Sequence, residues 1–123
     1  MDRSEFVECM NCRCLALRKK AQGLSRIYDK RLRGSGLTVN QFSMLTVLIL
    51  AGPLPVSALA DQLGIDRTTM TRNLNVGERD GLVRTSQGED RRTRLVAVTP
   101  RGYELARKAL PAWRKAQAAA GSA

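Results

Sequence analysis

The chain has 123 residues, 43% of them hydrophobic, so it can form a single domain with a modest core. Its 21 lysines and arginines against 11 aspartates and glutamates give a net charge of +10, which favours a polyanionic partner, most often nucleic acid, over a merely solvated basic surface. The sequence lacks histidine and has no nucleophile, phosphate-loop or paired-carboxylate pattern. Nothing therefore indicates an enzyme, and we expect no cofactor and no metal.

No apolar run approaches the length of a membrane span, and the first residues, MDRSEFVECMNC, lack the apolar region of a secretory signal. The three cysteines, an odd number, do not suggest an extracellular disulfide framework. We therefore expect a cytoplasmic protein that does not associate with a membrane.

Two helices are predicted in the first third of the chain. Apolar residues recur at spacings of three and four over residues 12–33, and RGSG then ends this helix. Thr38 and Gln41 form a capping box, and the helix that follows, VNQFSMLTVLILA, is apolar on most faces and is predicted to be the central buried helix. The apolar repeat of the first helix is Leu17, Ala21, Leu24, Tyr28 and Leu32.

A helix-turn-helix is predicted next. The prolines of GPLP favour extended backbone over residues 53–55, and the short helix VSALADQLG ends at Gly64 as a left-handed cap. A second helix begins after Asp66, which can cap it. Two short helices joined by a tight turn with glycine are typical of a helix-turn-helix, although many helical hairpins share the pattern.

The second of these helices has a polar face. Met70, Leu74 and Gly77 face inward at helical spacing, whereas hydroxyl, amide and guanidinium groups occupy the opposite face and its edges. Such groups form hydrogen bonds to phosphates and base edges in a major groove. The alternative is a solvated face without a role. The polar residues are Thr68, Thr69, Thr71, Arg72, Asn75 and Arg79.

A change of period after Gly81 predicts a β-hairpin, in which LVRTS and TRLVAVT are the strands and QGEDRR is the charged tip. Thr99 and Pro100 then begin a last helix. Pro111 is expected to kink this helix, and the final AAAGSA is expected to fray. Its apolar stripe is Tyr103, Ala106, Leu110 and Trp113.

This order of elements resembles the MarR family of bacterial transcription regulators over about residues 24–113. The matching motifs are GLTVNQFSMLTVL, LADQLGIDRTTMTRNL, ERDGLV and EDRRTRLVAVTPRG. The resemblance implies a mainly α fold with a small β-hairpin wing, a winged helix-turn-helix with long N- and C-terminal dimerisation helices. We therefore expect an N-terminal dimerisation helix with the cysteine cluster (1–36), a DNA-binding domain (37–99) and a C-terminal dimerisation helix (100–123).

The resemblance also implies a homodimer on double-stranded DNA, with one helix of each protomer in a major groove and each wing in the flanking minor groove, where a narrow groove attracts arginine. Asp90 is expected to brace the wing by pairing with a nearby arginine. A solvated hairpin charge is the alternative for Arg91. The implied DNA contacts are Thr68, Thr69, Thr71, Arg72 and Asn75 on the helix, with Arg91 and Arg92 at the wing tip.

Two features depart from the family's pattern. Gly77 stands where the family usually has leucine, so we expect either a gap filled by neighbouring side chains or a loosened helix end, and we expect Gly77→Leu to raise the melting temperature. The sequence stops ten residues after Trp113, before a further helix that usually helps to clasp the dimer. The first and last helices are then expected to form most of a weaker or differently organised interface.

Cys9, Cys12 and Cys14 stand in ECMNCRC, ahead of or at the start of the first helix. Arg13 and Arg18, together with a helix N-terminus, would favour the reactive thiolate, so these cysteines are candidate redox sensors. Some regulators of the resembled family sense oxidants through cysteine. Thiophilic metal sensing is a weaker alternative because no fourth ligand is in sight, and reduced cysteines without a role are the plainest one.

A small aromatic or amphipathic effector is the other route to regulation. Tyr28, Phe42 and Met44 are candidate pocket residues, although a core role suits them better. The sequence thus predicts a dimeric, sequence-specific DNA-binding repressor that is released by a small ligand or by cysteine oxidation. The alternatives are an architectural DNA binder and a winged-helix module for protein interaction.

Overall fold

A computed structural model describes residues 1–121, which form five α-helices, two 3-10 helices and one three-stranded antiparallel sheet. The α-helices are α1 (Arg13–Leu32), α2 (Val39–Ala51), α3 (Val56–Leu63), α4 (Arg67–Arg79) and α5 (Pro100–Ala120). The strands are β1 (Leu54–Pro55), β2 (Val83–Gln87) and β3 (Arg94–Val98), in the sheet order β1-β3-β2. The 3-10 helices are Ser4–Asn11 and Arg33–Ser35.

Capping residues fix most element boundaries, as predicted. The Thr38 hydroxyl accepts a hydrogen bond from the backbone N–H of Gln41 at 3.1 Å, and the Gln41 side-chain oxygen accepts one from the backbone N–H of Thr38 at 3.0 Å, so the capping box of α2 is confirmed. Gly64 ends α3 with a φ of 66°, and Thr99 caps α5 with Pro100 in its first turn. Local sequence therefore sets where these helices begin and end.

The core is built around α2, which is confirmed as the central helix through residues 42–48. Leu45 and Leu48 are fully buried, and the ring of Phe42 stacks on Trp113 of α5 with centroids 6.1 Å apart. The C-terminal end of α2 is less enclosed, because Ile49 and Leu50 are exposed. The largest fully buried side chains are Leu32, Met44, Leu45, Leu48, Leu59, Met70, Leu82 and Val96.

Strand β3 joins the helix-turn-helix to the hairpin. Leu54 of β1 pairs with Val96 of β3, and Thr85 of β2 pairs with the same Val96 from the other side. The prolines predicted extended backbone at residues 53–55 but not this pairing. Because of it, the hairpin is one part of a sheet that also holds the start of α3.

The two ends of the chain differ from expectation. Residues 4–11 form a 3-10 helix that was not predicted, and only the C-terminal end of the α1 stripe packs inside the protomer, since Leu32 is buried while Leu17 is exposed. Helix α5 continues through Pro111 as one element. The expected fraying of AAAGSA is wrong for residues 118–120, which are helical, in keeping with the high helix propensity of alanine. Residues 122 and 123 lie outside the described part.

No single helix within residues 1–121 is long and apolar enough to cross a membrane. Helices α1 and α2 meet the length and composition criteria only as a pair bent by 77°. Of this pair, α2 is the core helix of the fold.

Gly77 faces the core of α4 as predicted, and its neighbours have filled the space. A Cβ atom at this position would lie 3.0 Å from Cγ2 of Val83 and 3.2 Å from Cε of Met44. These contacts argue against the expected gain in melting temperature from Gly77→Leu, because no gap remains for a leucine side chain. We expected either a gap filled by neighbouring side chains or a loosened helix end, and the structure shows the filled gap.

We predict that Gly77→Leu lowers the free energy of unfolding by about 1–3 kcal/mol through overpacking against Val83 and Met44. Gly77→Ala is the control with the smallest side chain and should stay within about 1 kcal/mol of the parent chain, because better helix propensity offsets small displacements of Val83 and Met44. Urea denaturation followed by circular dichroism measures both. A leucine variant as stable as the parent would show that Val83 and Met44 can move aside.

Candidate nucleic-acid interface

Helix α4 is anchored at its N-terminus by Asp66. The Asp66 Oδ1 accepts a hydrogen bond from the backbone N–H of Thr69 at 2.8 Å, which is the predicted N-cap. Hydrogen bonds from the side chain and the backbone of Thr69 hold the pKa of Asp66 below its ordinary value, and the positive charge of Arg72 adds to this effect. The first turn of α4 is thus fixed by a carboxylate that stays ionised at neutral pH.

The two faces of α4 separate as the sequence predicted. Met70 and Leu74 are buried against the core, at 0% and 3% exposure, and they fix the rotation of the helix about its axis. Thr69 is half-buried beside the Asp66 cap. The other residues predicted for the polar face of this helix are exposed, namely Thr68, Thr71, Arg72, Asn75 and Arg79.

The tip of the hairpin is a tight, hydrogen-bonded turn. The Asp90 side chain accepts a hydrogen bond from the backbone N–H of Arg92 at 3.0 Å, and the Asp90 carbonyl accepts one from the backbone N–H of Thr93 at 2.9 Å. The expected ion pair of Asp90 with an arginine is absent from the described residues. Asp90 holds the turn through the backbone instead, which leaves the guanidinium groups of Arg91 and Arg92 exposed.

A polar network links the end of α4 to both hairpin strands. The Thr85 hydroxyl donates to Oε1 of Glu78 at 3.2 Å, Nη2 of Arg94 donates to the Thr85 hydroxyl at 2.8 Å, and the Arg94 to Glu78 distance is 3.6 Å. Each pair of side chains in this exposed cluster contributes little alone, but together they orient the hairpin relative to α4. Sequence reasoning missed this network, although Thr85 and Arg94 share one face of the paired strands, which could have indicated it.

A second junction fixes the start of α5 to the turn after α4. The Thr99 hydroxyl lies 2.5 Å from the Gly81 carbonyl oxygen and 3.1 Å from that of Leu82, and it accepts a hydrogen bond from the backbone N–H of Gly102 at 3.0 Å. A Cβ atom on Gly102 would overlap the carbonyl oxygen of Leu82, so the TPRG sequence requires glycine at this place. The turn, the hairpin and α5 therefore form one rigid corner.

Comparison with known proteins gives the family. Residues 35–93 match the model of the MarR family. The chain is also similar to the M. tuberculosis transcriptional regulator MosR, whose crystal structure in complex with DNA has 43% sequence identity and a TM-score of 0.85 over 92% of this chain and 83% of that one. The chain belongs to the MarR family. Its winged helix-turn-helix fold is thereby confirmed.

Two further similar proteins support this family assignment. A second structure of MosR has 42% identity and a TM-score of 0.81 over 91% of this chain and 82% of that one. The HTH-type transcriptional regulator YwoH of Bacillus subtilis is 30% identical over 83 residues, which are 68% of this chain and 61% of that relative. This MarR-family chain therefore spans about three fifths of that relative's length.

The three candidate pocket residues do not line a common cavity. Phe42 borders a cavity of about 260 Å³ between α2 and α5, together with Tyr103 and Leu110. Met44 is buried on the other side of α2, and the Tyr28 hydroxyl donates a hydrogen bond to the side-chain oxygen of Gln117. Phe42 and Met44 thus lie on different sides of α2, and an effector pocket that the three residues share stays a prediction.

The three cysteines are exposed thiols near the start of α1. Cys12 is the N-cap of α1, and its Sγ accepts from the backbone N–H of Leu15 at 3.5 Å. The Sγ of Cys14 lies 3.6 Å from Nη2 of Arg18, which donates to it. No group of three metal-ligating side chains stands together within residues 1–121.

We predict that the cap of α4 weakens in acid. Because the folded-state pKa of Asp66 is below its ordinary value of 3.8, its stabilising effect is complete above that value and is lost as the pH falls through the folded-state pKa. The melting-temperature difference between the parent chain and Asp66→Ala should thus shrink as the pH falls from 7 to 3. The melting temperature of Asp66→Ser, whose hydroxyl caps the helix without titrating, should depend less on pH than that of the parent chain. A constant difference for Asp66→Ala would contradict the assignment.

Proposed function

We propose that the chain is a transcriptional regulator that binds a specific double-stranded DNA sequence, with α4 in the major groove and the hairpin tip in the flanking minor groove. The observation that carries this proposal is the outward polar face of α4, which starts at a capped helix N-terminus while Met70 and Leu74 hold the opposite face in the core. The relationship to MosR, which was crystallised with DNA, supports it.

In this proposal Arg72 and Asn75 read base edges, because guanidinium and amide groups match the donor and acceptor patterns of guanine and adenine. Thr68 and Thr71 lie near the first turn, where threonine hydroxyls and free helix N–H groups bind phosphate. Thr69 orients the first turn through its hydrogen bonds with Asp66. Arg91 and Arg92 enter the minor groove and add phosphate attraction that is largely independent of sequence.

The assembly in this proposal is a homodimer. Residues 1–36 and 100–123 supply the dimer interface, and residues 37–99 bind DNA. Support comes from three leucines of α1 that are partly or largely exposed in the protomer, namely Leu15, Leu17 and Leu24 at 38%, 67% and 36%. Two copies of α4 would then bind half-sites about 34 Å apart, so any change in the dimer interface alters their spacing and the DNA affinity.

The action in this proposal is repression by occupancy of the operator, within the cytoplasm, and without catalysis. Signal input comes from the cysteines. Their thiols are exposed, and Nη2 of Arg18 lies 3.6 Å from Sγ of Cys14. A small effector is the second candidate, since the apolar cavity beside Phe42 is bordered by Arg107, but this arginine already pairs with Glu104 at 3.1 Å.

We predict that Arg72→Ala removes sequence preference. The variant should lose about 1–3 kcal/mol of binding to the selected operator and far less to scrambled DNA, because a base contact is lost. Arg91→Ala with Arg92→Ala should weaken binding to both DNAs alike and reduce the salt dependence. Gln62→Ala, at an exposed position of α3 outside the proposed DNA contacts and the proposed dimer interface, is the control. The measurement is fluorescence anisotropy at two salt concentrations after selection of the operator from random DNA.

Either rival function has its own outcome in this experiment. Equal losses on operator and scrambled DNA for Arg72→Ala would indicate an architectural DNA binder. Absence of binding to any DNA at low salt would indicate a module for protein interaction.

We predict that hydrogen peroxide weakens operator binding by about 5- to 150-fold, the usual range of coupling between sites. Peroxide oxidises one thiolate to a sulfenic acid and is itself reduced to water; a second cysteine thiol then attacks this sulfur, so a disulfide forms and a second water leaves. The variant with Cys9, Cys12 and Cys14 all changed to serine should bind the operator normally and resist peroxide. Because this variant keeps Met10, it also controls for methionine oxidation. Unchanged affinity after complete thiol oxidation of the parent chain would disprove the redox route.

A further inference from the structure

A large groove with a basic rim lies between α1 and α5, away from the proposed DNA face. Its volume is about 980 Å³. Ile27 and Leu105 contribute to an apolar floor, and Lys30, Lys108 and Lys115 stand around it. None of these three lysines forms an ion pair within residues 1–121. The groove therefore suits a partner that is both apolar and acidic.

The N-terminal segment Ser4–Asn11 has the complementary character. In a 3-10 helix with three residues per turn, side chains three apart share an edge, so Glu5 and Glu8 lie along one edge and Val7 and Met10 along the next. Phe6, Val7 and Met10 are 67%, 66% and 78% exposed. Neither Glu5 nor Glu8 forms an ion pair within the described residues.

The length and the full exposure of this segment are unusual for a 3-10 helix. It has 8 residues, whereas 3-10 helices seldom exceed about four residues because their hydrogen bonds are poor and their side chains eclipse. All of its residues are exposed, so it does not pack on its own α1. A long 3-10 helix with bare apolar edges lacks the packing that would stabilise it within the protomer.

As a 3-10 helix folded back along α1, the segment ends short of the groove of its own chain. From Arg13 to Ile27 the rigid helix α1 spans about 21 Å, at about 1.5 Å per residue. Folded back along α1, the segment would extend only about 16 Å, at about 2.0 Å per residue. A matching groove is therefore available only on another copy of the chain.

We propose that the segment Ser4–Asn11 of one protomer docks in the basic groove between α1 and α5 of its partner. Phe6, Val7 and Met10 cover the apolar floor, and Glu5 and Glu8 pair with lysines of the rim. This inference rests on the homodimer of the proposed function and specifies one part of its interface. It also places the cysteines, which directly follow the segment, at the edge of that contact.

Charge reversal on each side, followed by mixing, tests the proposal with the full chain. One variant carries Glu5→Lys and Glu8→Lys, and the other carries Lys108→Glu and Lys115→Glu. Each variant alone should dimerise at least about tenfold more weakly than the parent chain, because like charges then meet in both copies of the contact. An equimolar mixture should recover the parent affinity, since each segment then meets a groove of opposite charge. Sedimentation velocity measures the dimer Kd, and native mass spectrometry identifies the mixed dimer.

Matched controls separate this contact from general charge effects. Asp61→Lys with Glu89→Lys changes the net charge by the same amount as the segment variant, at exposed positions outside both surfaces, and should leave the dimer Kd unchanged. Circular dichroism melts confirm that every variant is folded. In a contact within one protomer, mixing would restore nothing, so recovery in the mixture is specific to exchange between protomers.

The outcomes distinguish the two proposals. A parent chain that dimerises while both variants keep its Kd overturns the docking and leaves the dimeric regulator intact. Loss of dimer in the groove variant alone means that a different segment or a small ligand occupies the groove, which also overturns the docking. A parent chain that stays monomeric at tens of micromolar and binds its operator as a monomer overturns both.

Discussion

The burial of one face of α4 is the constraint on which the rest of the molecule depends. Met70 and Leu74 are held in a core built by α2, and this packing decides which side chains of α4 face outward. A rotation of the helix by one residue would move Arg72 by about 100° and bury polar groups without partners, at a cost of several kcal/mol. The orientation of the proposed reading face is therefore set by hydrophobic burial and not by the polar side chains themselves.

The hairpin and α5 are tied to this helix by polar contacts at its C-terminal end. Gly77 lets Val83 and Met44 approach the helix backbone, and the Glu78 network joins both hairpin strands to the end of the helix. The corner at Gly102 then fixes α5 to the same turn. Since α4, the hairpin and α5 share one corner, a shift of α5 in a dimer interface would move the reading helix with it.

Sequence reasoning recovered most of the fold because its signals were local. Three helix starts are indicated by a capping residue that interacts with a residue three positions later. The capping residues are Thr38, Asp66 and Thr99. The features that it missed depend on residues distant in the chain. The pairing of Leu54 with Val96 and the filling of the space at Gly77 by Met44 and Val83 require the tertiary structure, which single-chain periodicity does not contain.

In the candidate site too, local features were predictable from the sequence and tertiary contacts were not. The exposed face of α4 was predictable from helical spacing, since the buried positions determine the exposed ones. The separation of Tyr28, Phe42 and Met44 was not, because membership of one stripe or helix does not say which neighbours surround a side chain. For Asp90, the sequence offered several arginines nearby, but a short side chain in a turn bonds most readily to the backbone N–H two residues on.

The charge distribution separates two kinds of surface on this protein. At the proposed DNA face, Arg91 and Arg92 are exposed and form no ion pair within residues 1–121, so their charge is available to phosphate. Between α1 and α5, lysines surround an apolar floor, which phosphate backbone would not cover. Nucleic acid accounts for the first surface but not for the second. The proposed homodimer would explain together a basic groove with an apolar floor and an acidic segment with bare apolar edges, which lie at opposite ends of α1.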